Sequence, residues 1–299
     1  MFRLAHLSDV HLGPLPPVAR RELMSKRITG YINWQRNRAM HHDAETVARL
    51  TADIAGRRPD HLAITGDLIN LGLDAEIETA VAWLESLGDP ATVSLVCGNH
   101  DAYVPGTLDR VLERWQRWIT DDKGRHIDGP EDFPVLRRRG RVSLIGCNSA
   151  RATMPFLATG YFRGAQARAL GEMLAAEGRA GQCRVVLIHH PPVRWATAFH
   201  KRLVGAGLFR RAIARHGAEL VLHGHTHRDS VATIAGAAGP VPVVGVPSAG
   251  ESGGRRHPAS RYNLFNIAEG PRGWSIAMQE YGLGGAATPI GLIAKRQLA

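Results

Sequence analysis

The chain has 299 residues, of which 44% are hydrophobic and 21% are charged. This balance is ordinary for a globular protein with a buried core, and it excludes a disordered, collagen-like or repetitive chain. The net charge of +10 and the isoelectric point near 10.2 are unusual. They favour polyanionic partners, namely nucleic acid, anionic lipid head groups or phosphorylated substrates, unless the charge serves solubility alone.

The cysteines and the apolar runs bear on the compartment. Cys97, Cys147 and Cys183 each lie in or at the end of an apolar run, which predicts buried free thiols and a reducing environment. The first residues show no basic leader followed by an apolar run. No stretch approaches the roughly 18–20 uninterrupted apolar residues that span a bilayer. We therefore expect a cytoplasmic protein, with attachment to the periphery of the inner membrane as the alternative.

Predicted strands and helices alternate along the first 230 residues. Apolar runs predict strands at 2–7, 61–65, 92–96, 142–146, 184–188 and 219–222, and helical spacing predicts helices at 43–55, 75–87, 108–119, 165–177 and 206–216. The segment 137–141, with four arginines and one glycine, predicts a solvated hairpin turn. This alternation is typical of an α/β fold.

Beyond residue 230 the pattern changes to strands at 241–246, 262–267 and 274–281, joined by loops. A helix-poor final third of this kind predicts a second sheet packed on the first, hence a two-sheet αββα sandwich. The last residues, from about 282, contain glycine and alanine and are expected to be a loose tail. We find no repeat and no linker, and we expect residues 1–299 to form a single domain.

Two long excursions, 12–42 and 193–204, interrupt the predicted alternation. Basic residues and apolar or aromatic residues are interleaved in both: Arg20, Arg21, Leu23, Met24, Lys26, Arg27, Ile28, Tyr31, Ile32, Trp34, Arg36 and Arg38 in the first, and Arg194, Trp195, Phe199, Lys201 and Arg202 in the second. One interpretation is a basic and aromatic surface that contacts phosphate-rich partners. The other is two insertions that pack on each other while their cations are solvated.

Candidate metal ligands follow five of the predicted strands. These residues are Asp9, His11, Asp67, Asn99, His189, His225 and His227, and His100 directly follows one of them. The carboxyl ends of strands are where open α/β sheets bind ligands, so we expect a metal site at this edge. A donor set of nitrogen and oxygen without thiolate suits Mn, Fe, Zn, Co or Ni rather than Ca or Mg.

The number of donors indicates two metals rather than one. Seven protein ligands exceed a tetrahedral site, but they suit two cations that share a carboxylate. Two cations about 3.5–4 Å apart can clamp the attacking and leaving oxygens of a phosphoryl displacement.

Five short motifs together resemble those of a known family. The motifs are Asp9-Val10-His11, Gly66-Asp67, Gly98-Asn99-His100-Asp101, His189-His190-Pro191 and Gly224-His225-Thr226-His227. Their order and content resemble the motif set of the calcineurin-like metallophosphoesterases, over about three quarters of the chain. Any one motif alone is weak, whereas five in order, each after a strand, are specific.

The resemblance implies a role for each residue. Two divalent transition-metal ions, Mn, Fe or Zn, would be held, the first by Asp9, His11 and His227, the second by Asn99, His189 and His225, with Asp67 bridging them. A hydroxide bridging the metals would attack phosphorus.

His100 would be a proton donor to the leaving group rather than a metal ligand. Asp101 either orients His100 or caps the following helix. His190 and His223 adjoin predicted ligands and are either structural or supporting groups.

The resemblance, to bacterial phosphodiesterases in particular, implies dinuclear-metal-dependent hydrolysis of a small or lipid-borne phosphodiester. Candidate substrates are a phospholipid head group, a glycerophosphodiester or a cyclic nucleotide, and an anionic membrane surface is a candidate partner. A DNA or RNA nuclease of the same family is the alternative, in keeping with the charge. A non-catalytic scaffold is disfavoured because all seven ligands are present.

Overall fold

Two six-stranded β-sheets pack face to face in the computed structural model, which describes residues 1–35, 44–251, 258–271, 273–283 and 289–299. The strands are β1 (Phe2–Leu7), β2 (His61–Ile64), β3 (Val93–Leu95), β4 (Val135–Arg139), β5 (Val142–Gly146), β6 (Gly160–Tyr161), β7 (Cys183–Leu187), β8 (Leu203–Val204), β9 (Leu220–His223), β10 (Ser230–Ala235), β11 (Pro240–Gly245), β12 (Arg261–Gly270), β13 (Gly273–Leu283) and β14 (Ile290–Gln297). The helices are α1 (Arg27–Asn33), α2 (Ala44–Gly56), α3 (Asp74–Ser86), α4 (Thr107–Arg114), α5 (Gln116–Ile119), α6 (Gly164–Arg179) and α7 (Ala206–His216).

Each sheet is built around a set of parallel strands. The first has the order β14-β13-β12-β1-β2-β3, and the second β10-β11-β9-β7-β5-β4. In the first sheet β1, β2 and β3 are parallel, and in the second β11, β9, β7 and β5 are parallel. Antiparallel strands extend the first sheet on one side, as β12, β13 and β14, and the second at both edges, as β10 and β4. A small pair, β6 with β8, lies outside both sheets.

Alternation along the strands creates the four layers. In β1, Leu4 faces the other sheet and packs in a core with Val185 and Phe265, whereas Ala5 and Leu7 face the helices. Helices α2 and α3 cover the first sheet, and α6 and α7 cover the second. Full burial of one such Leu or Phe side chain contributes about 1.5–3 kcal/mol. The predicted two-sheet αββα sandwich is confirmed.

The carboxyl ends of the parallel strands of both sheets lie at one edge of the sandwich. Ser8, just after β1, forms a parallel bridge with Ser248, which follows β11. Asp9 N–H donates to the Gly66 carbonyl at 2.9 Å, and this joins the ends of β1 and β2. Loops from both sheets therefore meet at one place.

The end of the chain differs from the expectation. The loose tail predicted from about 282 is wrong, because β13 runs to Leu283 and Ile290–Gln297 forms the edge strand β14. The strand has a short apolar run, Ile290–Ala294, but it is mostly exposed on both faces and buries little of that run. Backbone pairing with β13 and an ion pair from Arg296 to Glu280 at 3.0 Å hold it.

The solvated turn predicted at 137–141 is also wrong for most of its length. Arg137 lies inside β4 and only 5% of it is exposed. Its guanidinium donates to the carbonyls of Thr120 at 2.6 Å, Val93 at 2.5 Å and Arg117 at 2.8 Å. Burial is tolerated because the charge finds these acceptors. The turn itself consists of Gly140, with φ of 59°, and Arg141.

Other expectations agree closely or fall partly outside the described residues. The helix expected at 108–119 is broken at Trp115 into α4 and α5. The first excursion contains a short 3₁₀ turn, Arg20–Leu23, and helix α1, whereas Arg36 and Arg38 lie outside the described residues.

The three cysteines are buried thiols, as predicted. Among the helices of the described ranges, none combines the length and apolarity needed to cross a bilayer. The single domain over 1–299 stays a prediction.

Candidate metal centre

All eight residues singled out from the sequence lie together at the shared edge. Donor atoms within 4.8 Å of one another occur in four overlapping groups: Asp9, His11 and His227; Asp9, Asp67 and His189; His11, Asp67 and His100; and His189, His190 and His225. Asn99 joins them, since its Oδ1 lies 3.2 Å from His189 Nε2. The first sheet supplies Asp9, His11, Asp67, Asn99 and His100, and the second supplies His189, His225 and His227.

Asp9 has one anchored oxygen and one oxygen that faces the cluster. Its Oδ2 accepts the backbone N–H of His225 at 2.9 Å. Its Oδ1 is buried, accepts no hydrogen bond among the described residues and lies 3.2 Å from His227 Nε2. Burial alone would raise the pKa of this carboxyl, but His227 outweighs it and holds the pKa well below its usual range. An ionised, buried oxygen without a hydrogen bond fits a cation ligand.

Asp67 is arranged in the same way between the two halves of the cluster. Its Oδ1 accepts the backbone N–H of His100 at 2.7 Å. Its Oδ2 lies 3.4 Å from His189 Nε2 and 3.9 Å from His11 Nε2. Burial raises the pKa of Asp67, but His189 and His100 lower it to about 2. This carboxylate can therefore face two cations at once.

The histidine rings are held in fixed orientations. His11 Nδ1–H donates to the Ile69 carbonyl at 3.2 Å, and His189 Nδ1–H donates to the Thr65 carbonyl at 2.6 Å. A carbonyl can only accept, so each ring keeps its proton on Nδ1, and Nε2 is the nitrogen that faces the cluster and would bind a metal.

The other two predicted ligand histidines follow the same rule. His225 Nε2–H donates to the Lys201 carbonyl at 2.9 Å, which leaves Nδ1 with the lone pair. His227 Nδ1–H donates to the Glu251 carboxylate at 3.3 Å, which leaves Nε2 facing Asp9. Each ring is thus oriented for metal ligation by a hydrogen bond on its far side.

His190 is different, although its ring centroid is only 4.3 Å from that of His225. Its Nε2–H donates to the Ala158 carbonyl at 3.2 Å, and its Nδ1 accepts the Ser149 hydroxyl at 2.8 Å. Both nitrogens are engaged, so His190 has no lone pair for a metal. It packs beside the cluster as a supporting group.

His100 is oriented by a backbone carbonyl rather than by Asp101, which corrects that alternative. Its Nδ1–H donates to the Asn70 carbonyl at 2.6 Å, and its ring stacks on Tyr103 at 5.3 Å. Asp101 instead accepts backbone N–H groups of Asp67 at 2.8 Å and Gly98 at 2.8 Å. Burial and the charge of Asp67 raise the pKa of Asp101 to about 7. Asp101 therefore holds together the loops that carry Asp67 and His100.

Glycine is required where these loops touch. A Cβ on Gly98 would collide with Asp67 Oδ1 and would stand 2.7 Å from His189 Cε1. A Cβ on Gly224 would collide with Ser8 Oγ and Asp9 Oδ2. The glycines that precede the ligands in the sequence thus let two loops approach without a side chain between them.

Non-glycine residues with positive φ are concentrated in the cluster. Of the eight non-glycine residues with positive φ in the described ranges, five are in the cluster: Asp9, His11, Asp67, His225 and His227, with φ between 47° and 68°. Such left-handed conformations cost about 1 kcal/mol or more each and persist at sites where function fixes the geometry.

Residues 2–229 match the family described as calcineurin-like phosphoesterase. The chain belongs to this family. The resemblance drawn from the five motifs is therefore confirmed. Solved calcineurin-like folds agree: a dimetal phosphatase from Danio rerio has a TM-score of 0.62 at 12% identity, covering 99% of this chain and 98% of that one.

Two other comparisons cover a smaller share of the matched protein. A purple acid phosphatase from yellow lupin seeds has a TM-score of 0.61 at 11% identity, covering 99% of this calcineurin-like chain and 53% of its own. At these identities the solved structures show the fold alone. A probable cyclic nucleotide phosphodiesterase from Synechococcus sp. is 30% identical over 187 residues, which are 60% of this chain and 63% of the relative. The chain thus spans less than two thirds of that relative's length.

Some residues of this calcineurin-like centre were not found from the sequence. Lys26 Nζ lies 4.7 Å above the ring of Tyr103, which itself stacks on His100. Burial lowers the pKa of Lys26 to about 8, although Asp67 opposes this shift. The sequence placed Lys26 only in the basic and aromatic surface of the first excursion, and no motif indicated Glu251, which lies beyond the last one.

Proposed function

We propose that the chain is a two-metal phosphodiesterase. The observation that carries the proposal is the convergence of nitrogen and oxygen donors on Asp67, with each ligand histidine turned by a far-side hydrogen bond so that its lone pair points inward. Family membership supports hydrolysis of a phosphoester. The buried oxygen of Asp9 without a hydrogen bond supports a resident cation.

We assign the donors to two positions. Asp9, His11 and His227 would hold the first metal, and Asn99, His189 and His225 the second, while Asp67 lies between the two sets and would serve both. The set contains no thiolate, which suits Mn, Fe or Zn. When bound, the two cations supply Lewis acidity, activating water and neutralising charge on the phosphoryl group.

His100 serves as the proton donor in this proposal. The hydrogen bond from Nδ1 to the Asn70 carbonyl fixes the ring, and His11 and Asp67 lie beside it. Nε2 is then the atom that delivers a proton to the leaving oxygen, and stacking on Tyr103 restrains the ring while it does so.

The substrate class we propose is a small or lipid-borne phosphodiester. The name of the Synechococcus relative supports a diester rather than a monoester. The net charge of +10 supports an anionic substrate. We place the activity in the cytoplasm, in keeping with three buried thiols that a reducing compartment preserves.

The test is a substrate panel with protein loaded with Mn²⁺, Fe²⁺ or Zn²⁺ and with protein stripped by a chelator. The panel contains bis(p-nitrophenyl) phosphate, a glycerophosphodiester, a cyclic nucleotide, phospholipid vesicles and DNA and RNA oligonucleotides. We expect metal-dependent turnover of at least one diester in the panel other than the DNA and RNA oligonucleotides. Turnover restricted to oligonucleotides would replace the proposal with a nuclease, and no turnover together with no bound metal would indicate a scaffold.

A further inference from the structure

Three surface segments meet around the candidate metal centre. We call them the rim: residues 20–32, 151–158 and 194–202. Lys26 Nζ donates to Thr153 Oγ1 at 2.7 Å and to the Leu157 carbonyl at 3.0 Å, so the first segment is bound to the second. Ala158 N–H donates to the His200 carbonyl at 2.9 Å, so the second is bound to the third. The rim is therefore one continuous surface.

Each rim segment also contacts a group at the centre. Lys26 lies on Tyr103, the ring that stacks on His100. The Ala158 carbonyl accepts the ring N–H of His190, which packs beside the cluster, and the Lys201 carbonyl accepts the ring N–H of His225. A partner bound to the rim therefore lies next to the residues that would act on a phosphodiester.

Most of the large apolar side chains that the described residues expose lie on the rim. They are Met24, Ile28, Ile32, Met154, Phe156, Leu157, Trp195 and Phe199. Trp195 is 96% exposed and Phe156 is 83% exposed. A monomeric soluble surface rarely gathers such side chains in one place without a partner for them.

Two of these aromatic residues have an unusual backbone. Phe156 has φ of 65° and Trp195 has φ of 64°. Bulky residues rarely adopt this left-handed region, where glycine or asparagine is the usual occupant. Neither side chain is packed, so burial does not explain the conformation. Segments 151–158 and 194–202 therefore each hold one aromatic ring in solvent on a strained backbone, which points to a role in binding.

The charge on the rim indicates that its partner is negatively charged. The three segments contain eight basic residues against one acid, Glu22: Arg20, Arg21, Lys26, Arg27, Arg151, Arg194, Lys201 and Arg202. Cations beside exposed tryptophan and phenylalanine suit the boundary between anionic head groups and acyl chains. Exposed aliphatic side chains such as Met24 and Ile28 favour a lipid surface over single-stranded nucleic acid, which stacks its bases on aromatic rings.

We propose that the rim docks on an anionic lipid bilayer and that the phosphodiester presented to the metal centre belongs to a lipid of that bilayer. The second half of this statement rests on the proposed phosphodiesterase function, and the first half does not. Phe156 and Trp195 enter the interface, while the basic residues contact lipid phosphates. The protein lies on the surface with its active edge facing the head groups.

The test compares binding to vesicles of phosphatidylcholine with and without phosphatidylglycerol, by sedimentation. We expect binding that requires phosphatidylglycerol and weakens as salt is raised. The variant Phe156→Asn/Trp195→Asn removes both rings while asparagine tolerates the left-handed backbone, and we expect its affinity to fall about tenfold or more. The matched control, Val231→Thr/Leu292→Thr, removes exposed apolar groups outside the rim and should bind as the parent does.

Hydrolysis of bis(p-nitrophenyl) phosphate, which needs no bilayer, separates the two proposals. We expect it to be unchanged in the Asn variant, whereas hydrolysis of lipid in vesicles falls with binding. Absence of vesicle binding by the parent protein would overturn docking while the phosphodiesterase stands. Vesicle binding without turnover of any diester would overturn the phosphodiesterase while docking stands. Loss of oligonucleotide binding in the Asn variant, with vesicle binding unaffected, would replace the bilayer with nucleic acid.

Discussion

The metal centre and the rim lie next to each other but are built by opposite means. In the centre, carboxylates and rings are buried or half-buried, and backbone groups anchor most of the polar atoms that face away from the cluster, as with Asp9 and the His225 N–H. On the rim, large apolar side chains such as Trp195 are exposed. Both regions contain left-handed backbone at non-glycine residues.

The left-handed backbone holds different things in place in the two regions. At Asp67 the strained backbone is fixed on both sides, because its N–H donates to Asp101 Oδ2 at 2.8 Å and its carbonyl accepts the His11 N–H at 3.0 Å. At Trp195 the side chain is in solvent. In the centre the conformation fixes the position of a donor atom, whereas on the rim it fixes only the direction of a ring. The two regions should therefore respond very differently to substitution.

The largest effect is expected at Asp67, in the centre. Asp67→Asn keeps the side-chain shape and the oxygen that accepts the His100 N–H, but it removes the charge shared by the two positions. We expect loss of at least one metal equivalent, measured by elemental analysis, and a fall in diester turnover of about 10³-fold or more. Asp128→Asn, at an 81% exposed carboxylate, should change neither. Full metal content with full turnover would contradict the bridging assignment.

His100→Ala should separate chemistry from metal binding. Both metals are expected to stay, while turnover of an alkyl diester falls about 10²- to 10⁴-fold. A p-nitrophenyl diester should be affected less, because its phenolate leaves without a proton. The measurement is kcat for both substrates against metal content for the same preparation. Equal losses on the two leaving groups would remove His100 from proton donation.

Glu251 should act through His227, the ring to which it is hydrogen bonded. Glu251→Ala removes that acceptor, so we expect metal affinity about 10- to 100-fold weaker, measured by competition with a chelator. Glu251→Gln keeps an acceptor oxygen and should recover most of the affinity. If both variants bind metal as the parent does, Glu251 only supports the local fold.

Metal binding should release a proton from His189. Burial lowers the pKa of this imidazole, but the charge of Asp67 outweighs it and raises the pKa to about 9. Metal-free protein therefore holds the ring protonated at pH 7, and the metal must displace that proton, so affinity increases with pH up to about 9. Calorimetry in two buffers of different ionisation enthalpy measures the release. Identical heats in both buffers would contradict it.

The smallest effect is expected on the rim. Trp195→Asn places a residue that tolerates left-handed backbone where a bulky one stands, so the free energy of unfolding should stay the same or rise by up to about 1 kcal/mol. Thermal and urea unfolding measure it, alongside turnover of a soluble diester, which should not change. A marked loss of stability would mean that the ring packs in solution and that the contrast with the centre is false.

The sequence predicted the fold well wherever an element buries an apolar face. Helix α2 and strand β1 were found almost to the residue, because Val47, Leu50 and Ile54 repeat at helical spacing and the strand is a continuous apolar run. Prediction failed at the edges: β14 buries little, and Arg137 is a buried cation stabilised by carbonyls distant in sequence.

The sequence predicted which residues come together at the site but not what supports them. Each candidate ligand follows a strand and lies in a short motif, so local sequence indicates it. The groups that orient the rings of His11, His189 and His100 are the backbone carbonyls of Ile69, Thr65 and Asn70, which any residue type provides, so the sequence does not mark them. For Asp101 the residue was found, but its partners are backbone N–H groups that only the folded loops supply.

Each proposed metal position takes donors from both sheets: Asp9 and His11 from the first with His227 from the second, and Asn99 from the first with His189 from the second. A cation at either position would therefore work as a cross-link across the sandwich. Chelation should loosen the contact between the sheets, and protease resistance and thermal midpoint would fall together with activity. In such an architecture a bound catalytic ion also stabilises the contact between the two sheets, so loss of the ion would weaken the fold as well as the activity.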